Sequence, residues 1–408
     1  MATSDADSGF ARAGLTEQPA VVESWASTRR LYLDNLKVAL IAVIILGHGI
    51  VSYSSLEMWA YTDARETTLS PVTDAVLLGV VMPFGLFMIP LLFLIAGLLT
   101  PPSLERKGIG AFARDRALRL GVPLAVFALV VWPALLYALY RPLGNAGGSY
   151  WSELVGTAEE SLDTGYLWFV ADLLIFSLAY AGWRRLRQGR APRLRGGEIR
   201  VGHLFAVAGA VAAATFLVRQ VFPFDSQRYV DLNLYQWPEC VALFALGIVA
   251  ARNDWLEAIP APMYRQSRAV TLAVAAATAG FVAYGVVTGG VGEGDIGDQV
   301  WAGGWRWEAL GFAFLESMLA VFGSVWLLGV AQRHLDGERR WASPAVRRSA
   351  YGAFILQGLV LISLAVALRP LALPAEVKAL IVAGGGVAGS YALAWFLLSR
   401  VPGVARVF

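Results

Sequence analysis

The stretch LDNLKVALIAVIILGHGIVSY runs from Leu33 to Tyr53, and three of its residues could do chemistry: Asp34, Lys37 and His48. A histidine titrates near neutrality and suits general-base work. A lysine offers a point charge to a phosphate or carboxylate. An aspartate can pair with either. On a helix Lys37 and His48 lie eleven positions apart, which is about 1,100°, or three turns and roughly 20°. They share a face, and Asp34, three residues before Lys37, joins it. The rise between Lys37 and His48 is about 16.5 Å. The remainder of the stretch is apolar enough to sit in lipid. Ionisable groups at that depth cost a few kcal/mol, and they turn toward the protein interior or a wet cavity. Lys37 is near enough to one end to reach the headgroups, paired with Asp34. His48 is too deep for that.

Other polar residues interrupt apolar runs: Asp172, Glu239, Glu316 and Gln357. Asp172 and Glu316 need partners at their depth. Either carboxylate could orient His48 and raise its basicity, as the third member of a catalytic triad does. Three histidines, His48, His203 and His334, fall in separate segments and form no metal-ligand pattern, so no metal is expected.

The elements that must position these residues are membrane helices. The chain has 408 residues, 57% hydrophobic and 15% charged, whereas a soluble chain carries about a quarter charged residues. Runs of about 20 apolar residues suffice to span a bilayer. They occur near 33–54, 76–99, 120–140, 166–182, 203–222, 237–251, 269–289, 309–330, 350–368 and 377–398. The expected fold is all-α, a polytopic membrane protein of about ten spans. With the N-terminus in the cytoplasm, most of the 33 Lys+Arg fall on inside segments, including the run WRRLRQGRAPRLRGGEIR. That is the positive-inside bias, and it puts both termini in the cytoplasm.

Residues 1–28 have no basic start followed by an apolar core, so they read as a mobile cytoplasmic tail and not as a cleavable signal. Residues 29–408 read as one transmembrane domain. The single cysteine, Cys240, excludes an intrachain disulfide. The outer loops are acidic (Glu57, Asp63, Glu66, Asp74, Glu153, Glu159, Glu160, Asp163) and carry Trp301, Trp305 and Trp307, which suit an interfacial belt or a sugar-stacking platform. Pro83 and Pro90 are expected to kink the second span. Gly385 and Gly389 have the spacing for close helix packing.

YLDNLKVALIAVIILGHG resembles the first helix of the membrane-bound acyltransferase family 3, which has an aspartate, a basic residue, ten residues and a histidine. Lysine stands at position 37 where that family most often has arginine, which exchanges a fork of donors for a point charge. FLIAGLLTPPSLERKGIGAFARDRALRLGVPL resembles the second helix, the cytoplasmic loop and the arginine pair opening the third helix, here Arg116 and Arg119. GYLWFVADLLIFSLAY is similar to the fourth helix, YQWPECVALFALGIVAARNDWLE to the sixth, and SAYGAFILQGLVLI to a late helix that often has histidine in place of Gln357. TPPSLERKG and the terminal LPAEVKALIVAGG and PGVARVF are closest in flavour to the glucan succinyltransferase-like branch.

The resemblance implies transfer of an acetyl or succinyl group from cytoplasmic acyl-CoA (acetyl-CoA or succinyl-CoA) to a hydroxyl of a glycan or related acceptor at the outer face of the inner (plasma) membrane. Lys37, Arg116 and Arg119 would hold the CoA phosphates. His48 would act as general base or, on a second route, as an acyl carrier. Asp34, Asp172 and Glu316 would support it, with Trp168, Glu239 and Trp305 at the acceptor. Arg219 is a candidate reader of a carboxylated acyl chain. Membrane lipids are expected partners and nucleic acid is not. The rival reading is a proton-coupled transporter of a small polar or lipid-linked substrate, with His48 and Asp172 as a relay.

Overall fold

The structure, a computed structural model, describes residues 30–55, 59, 61, 64–140, 164–187, 199–226, 232–255, 258–288 and 299–406. The tail expected over 1–28, the acidic residues Glu57, Asp63, Glu153, Glu159, Glu160 and Asp163, and residues 188–198 of the basic run lie outside them.

The described residues form helices and no strands, and ten spans are long and apolar enough to cross a membrane. Helix α1 is Leu31–Val51. Helix α2 starts as Pro71–Val76, passes a π-turn at Leu77–Val81 and ends as Met82–Gly85. Helix α3 is Met88–Lys107 and α4 is Ile109–Leu139, the latter with π-turns at Ala117–Gly121 and Phe127–Val131. Then follow α5 Trp168–Leu186, α6 Val201–Val218, α7 Trp237–Asn253 and α8 Ala261–Thr288. Helix α9 is Trp307–His334, interrupted by a π-turn at Leu319–Gly323. Helices α10, Pro344–Leu368, and α11, Ala375–Arg400, complete the chain.

These are the ten spans expected from the apolar runs, in order. Several extend farther at their ends, as α3 does to Arg106 and Lys107, because a helix continues into headgroup depth without needing apolar residues. The second span breaks at Leu86–Phe87, between the two prolines named from sequence. Pro83 opens the segment before the break and Pro90 sits in the first turn after it, where a missing N–H costs nothing. Ser70 and Ser343 cap α2 and α10, each followed by a proline at the first helical position. Gly108 is the single residue between α3 and α4, and its φ of 78° makes the reversal.

Two seams of small residues set how closely the helices approach. A methyl on Gly97 of α3 would lie 2.2 Å from the carbonyl oxygen of Phe244 on α7, and one on Gly247 would lie 2.3 Å from that of Leu94. The backbones of α3 and α7 therefore touch. Methyls on Gly385 and Gly389 of α11 would lie 3.1 Å from Leu364 and 2.8 Å from Val360 on α10, so these glycines are packing residues. Helix α1 joins the same layer, with Gly49 against the backbone of Ala383. Its other neighbours are α10, the second half of α9 and α3.

The segment after α1 is pinned to α11 by an ion pair. Lys378 Nζ lies 2.5 Å from Glu66 Oε1, and Tyr61 donates its hydroxyl to Glu66 Oε2 at 2.9 Å. Partial burial pushes the Glu66 carboxyl up, but the hydrogen bonds from Lys378 and Tyr61 and the lysine charge outweigh it and hold the carboxyl below its ordinary value. A carboxyl depressed in the fold contributes stability above its unfolded pKa of about 4.3, and that stability drains as pH falls through the folded value.

Two outcomes are expected. Gly97→Ala lowers the unfolding temperature of the purified protein, by an overpacking cost of about 1–3 kcal/mol. Stability of the wild type falls below about pH 4. In Glu66→Gln that acid dependence is flattened and the protein is weaker at pH 7, because Lys378, 2% exposed, is left without its counter-charge. Thermal unfolding in detergent across pH reads both.

Candidate active site

His48 sits one turn before the end of α1, half-buried. Its Nδ1 lies 2.9 Å from Oε1 of Gln357, a fully buried residue of α10. Gln357 is fixed in turn, its Nε2 donating to the carbonyl of Phe354 at 3.1 Å. One face of the imidazole is covered by Trp59, stacked at 4.2 Å and 16°. Behind Trp59 stands Tyr166 at 5.3 Å. The Tyr166 hydroxyl donates to the Ile355 carbonyl at 2.5 Å and accepts from the Gly358 N–H at 3.1 Å. A methyl on Gly358 would lie 2.2 Å from the Tyr166 ring, so a glycine is needed for the tyrosine to enter the α10 backbone there.

At the other end of α1, the end the charge bias assigns to the cytoplasm, Lys37 pairs with Asp34 at 2.8 Å with 34% of its side chain exposed. Asn35 ties this end to the loop before α10, donating to the carbonyls of Leu335 and Gly337 at 2.7 and 2.8 Å, and Arg347 of α10 reaches its Oδ1 at 3.4 Å. Arg347–Asn35 and Gln357–His48 are two rungs between α10 and α1, so the helices run parallel. Tyr351, one turn past Arg347, falls level with the turn that follows Lys37. Its hydroxyl donates to the carbonyl of Arg119 at 2.9 Å. Arg119 and Lys107 share the carboxylate of Asp115 at 3.2 and 2.7 Å, and Arg116 lies over the Phe112 ring at 5.1 Å. The basic residues of α1 and α4 thus flank α10 at the same end.

The carboxylates expected near His48 are elsewhere. Glu316 of α9 holds Arg219 at 2.5 Å, both essentially unexposed, and Ser317 donates to Glu239 of α7 at 3.3 Å. Glu239 lies within electrostatic reach of Glu316 and Arg219, and Asp172 of α5 within reach of Cys240. Aromatic rings of Phe224, Phe312 and Tyr235 surround the guanidinium at 4.9, 5.4 and 5.9 Å. The place expected for a carboxylate beside His48 is filled by the neutral amide of Gln357, because α1 faces α10 there. Asp34 is engaged with Lys37. Arg219, expected as a reader of a carboxylated acyl chain, is instead occupied by Glu316 and the rings. Trp168 is half-buried against the core, two residues past Tyr166. Trp305 is 77% exposed with its ring edge-on to Phe216 at 5.4 Å.

Sequence reading missed Trp59 and Tyr166. The signal for Tyr166 was the stretch GYLW at the start of a span, which puts two aromatics at one helix start; Trp59, in the segment after α1, left none.

A base-type histidine near one end of a span and a basic cluster at the other end suit a donor and an acceptor that meet within the membrane. The acyltransferase 3 family, described as an acyltransferase domain, matches residues 30–399. No curated protein and no solved structure matches the chain. With all but its first 29 and last nine residues covered by that match, the chain belongs to the acyltransferase 3 family of membrane acyltransferases.

Proposed function

We propose that the protein moves an acyl group from acyl-CoA, held at the basic end of α1, to a hydroxyl of a glycan or related acceptor at the opposite face. The observation that carries the reading is the layout of α1. One end brings Lys37 to the level of Arg116 and Arg119, and the other turns His48 onto α10 in the interior. The three cations suit the phosphates of a CoA nucleotide. In the free protein Asp34 and Asp115 neutralise part of that charge, and a bound phosphate would compete with them. The long thin arm of CoA would run along α1 over the roughly 16.5 Å that separates Lys37 from His48 and bring the thioester carbonyl to the imidazole.

The chemistry then balances simply. The acceptor oxygen attacks the thioester carbonyl as His48 takes its proton. The carbon–sulfur bond breaks, and the imidazolium returns the proton to the thiolate, releasing CoA as the thiol. Trp59, which stacks on His48, joins Trp168, Glu239 and Trp305 as a candidate acceptor-side residue, with Tyr166 behind it as support. The likeness of TPPSLERKG to the glucan succinyltransferase-like branch keeps succinyl beside acetyl as the transferred group.

Binding of acetyl-CoA, succinyl-CoA and CoA to the detergent-purified protein, followed by calorimetry, tests this reading. Lys37→Ala is expected to weaken acyl-CoA about tenfold, the loss of one phosphate contact of about 1.4 kcal/mol. His48→Ala is expected to bind acyl-CoA as the wild type does and to lose about 10²–10⁴-fold in turnover. A folded protein that binds none of the three, yet takes up a solute against a proton gradient, would return the reading to a transporter.

A further inference from the structure

The contacts around His48 fix more than its position. Gln357 offers the ring either an oxygen or an NH₂ group, and its other end decides which. That end lies 3.1 Å from the carbonyl oxygen of Phe354. A carbonyl oxygen only accepts. Were the amide turned over, Oε1 would face that carbonyl and two oxygens would meet without a proton between them. The NH₂ therefore points to Phe354, and Oε1 points to His48 Nδ1 at 2.9 Å. An oxygen at that distance requires a proton on Nδ1, which leaves the lone pair on Nε2. Gln357 is fully buried, so water does not compete for either end. Trp59, stacked on one face of the ring, restrains rotation about the Cβ–Cγ bond and leaves the Nε2 edge as the ring's basic edge.

We propose that Gln357 is a positioning residue that holds the neutral His48 ring in its Nδ1–H tautomer and so makes Nε2 the base. This rests on the reading of His48 as general base, and it adds which nitrogen acts and what selects it. A neutral amide does this without bringing a second charge into the span, which a carboxylate partner would do. Free neutral imidazole rings of histidine favour the Nε2–H form, so the tautomer found at position 48 reports on Gln357 directly.

The test is nitrogen NMR of the full-length protein labelled with ¹⁵N-histidine, in detergent, at a pH where the rings are neutral. The protein has three histidines, and His48→Ala identifies the signals of position 48. The expected result is an Nδ1–H ring in the wild type, a shift to the Nε2–H form in Gln357→Leu, and retention of Nδ1–H in Gln357→Glu, whose buried carboxyl in its protonated form donates to the Phe354 carbonyl and keeps an acceptor oxygen for Nδ1. With acetyl-CoA as donor and water as acceptor, release of the free thiol is expected to fall about 10–100-fold in kcat for Gln357→Leu with KM for acetyl-CoA unchanged, and to be largely rescued in Gln357→Glu. An Nε2–H ring in the wild type, or an Nδ1–H ring that survives Gln357→Leu, overturns the proposal. The wild-type spectrum decides even where the leucine variant does not fold. Failure of the underlying reading looks different: His48→Ala then keeps its thiol release whatever the tautomer.

Discussion

Lipid offers no hydrogen bonds, so a charged or polar side chain carried into the membrane is costly unless the chain supplies a partner. That requirement organises the interior. His48 is answered by Gln357, Arg219 by Glu316, Glu239 by Ser317 and Lys378 by Glu66. Each pair joins segments far apart in sequence, and each fixes the rotation of the helices that bring it. The pairing of α1 with α10 is the one the site depends on. With Asn35 held by Arg347 at one end and His48 held by Gln357 near the other, α1 cannot slide along α10 without breaking both.

The ten spans were legible because each is a mostly apolar run and the membrane demands a minimum length of it. The packing glycines Gly385 and Gly389 were legible because their spacing on one helix is local information. The partner of His48 was not. Gln357 lies 309 residues away, and nothing along the chain says that α10 rather than α5 or α9 faces α1. The carboxylates of Asp172 and Glu316 looked suited to a histidine on chemical type alone. The structure uses Glu316 to neutralise Arg219, the costlier charge to leave bare in lipid. Tyr166 was not legible as a neighbour of this region, because what admits its ring is Gly358, 192 residues away on α10.

In the proposed reaction the two ends of α1 would divide the labour of a transfer across a membrane. The donor's charged end would stay on the basic side and the acceptor on the other, with the thin arm of the donor and its acyl group spanning the depth between them. A rigid, continuous helix suits that division because it keeps a constant separation between the group that holds the carrier and the group that takes the proton. The second buried cluster, around Arg219, stands apart from this line. It ties α6, α7 and α9 together through Arg219, Glu239 and Glu316.

The seam between α1 and α11 has a mechanical consequence. A methyl on Gly49 would lie 2.6 Å from the Cα and 2.8 Å from the N of Ala383. Backbones this close at Gly49 leave little clearance for α1 to turn about its own axis there, since a turn would swing a larger side chain into the gap. With α10 locked to α1 by hydrogen bonds and to α11 by its own glycine seam, these three helices behave as one stiff plate. In the proposed reaction, opening and closing would then fall to the helices around that plate, with His48 held in place on it.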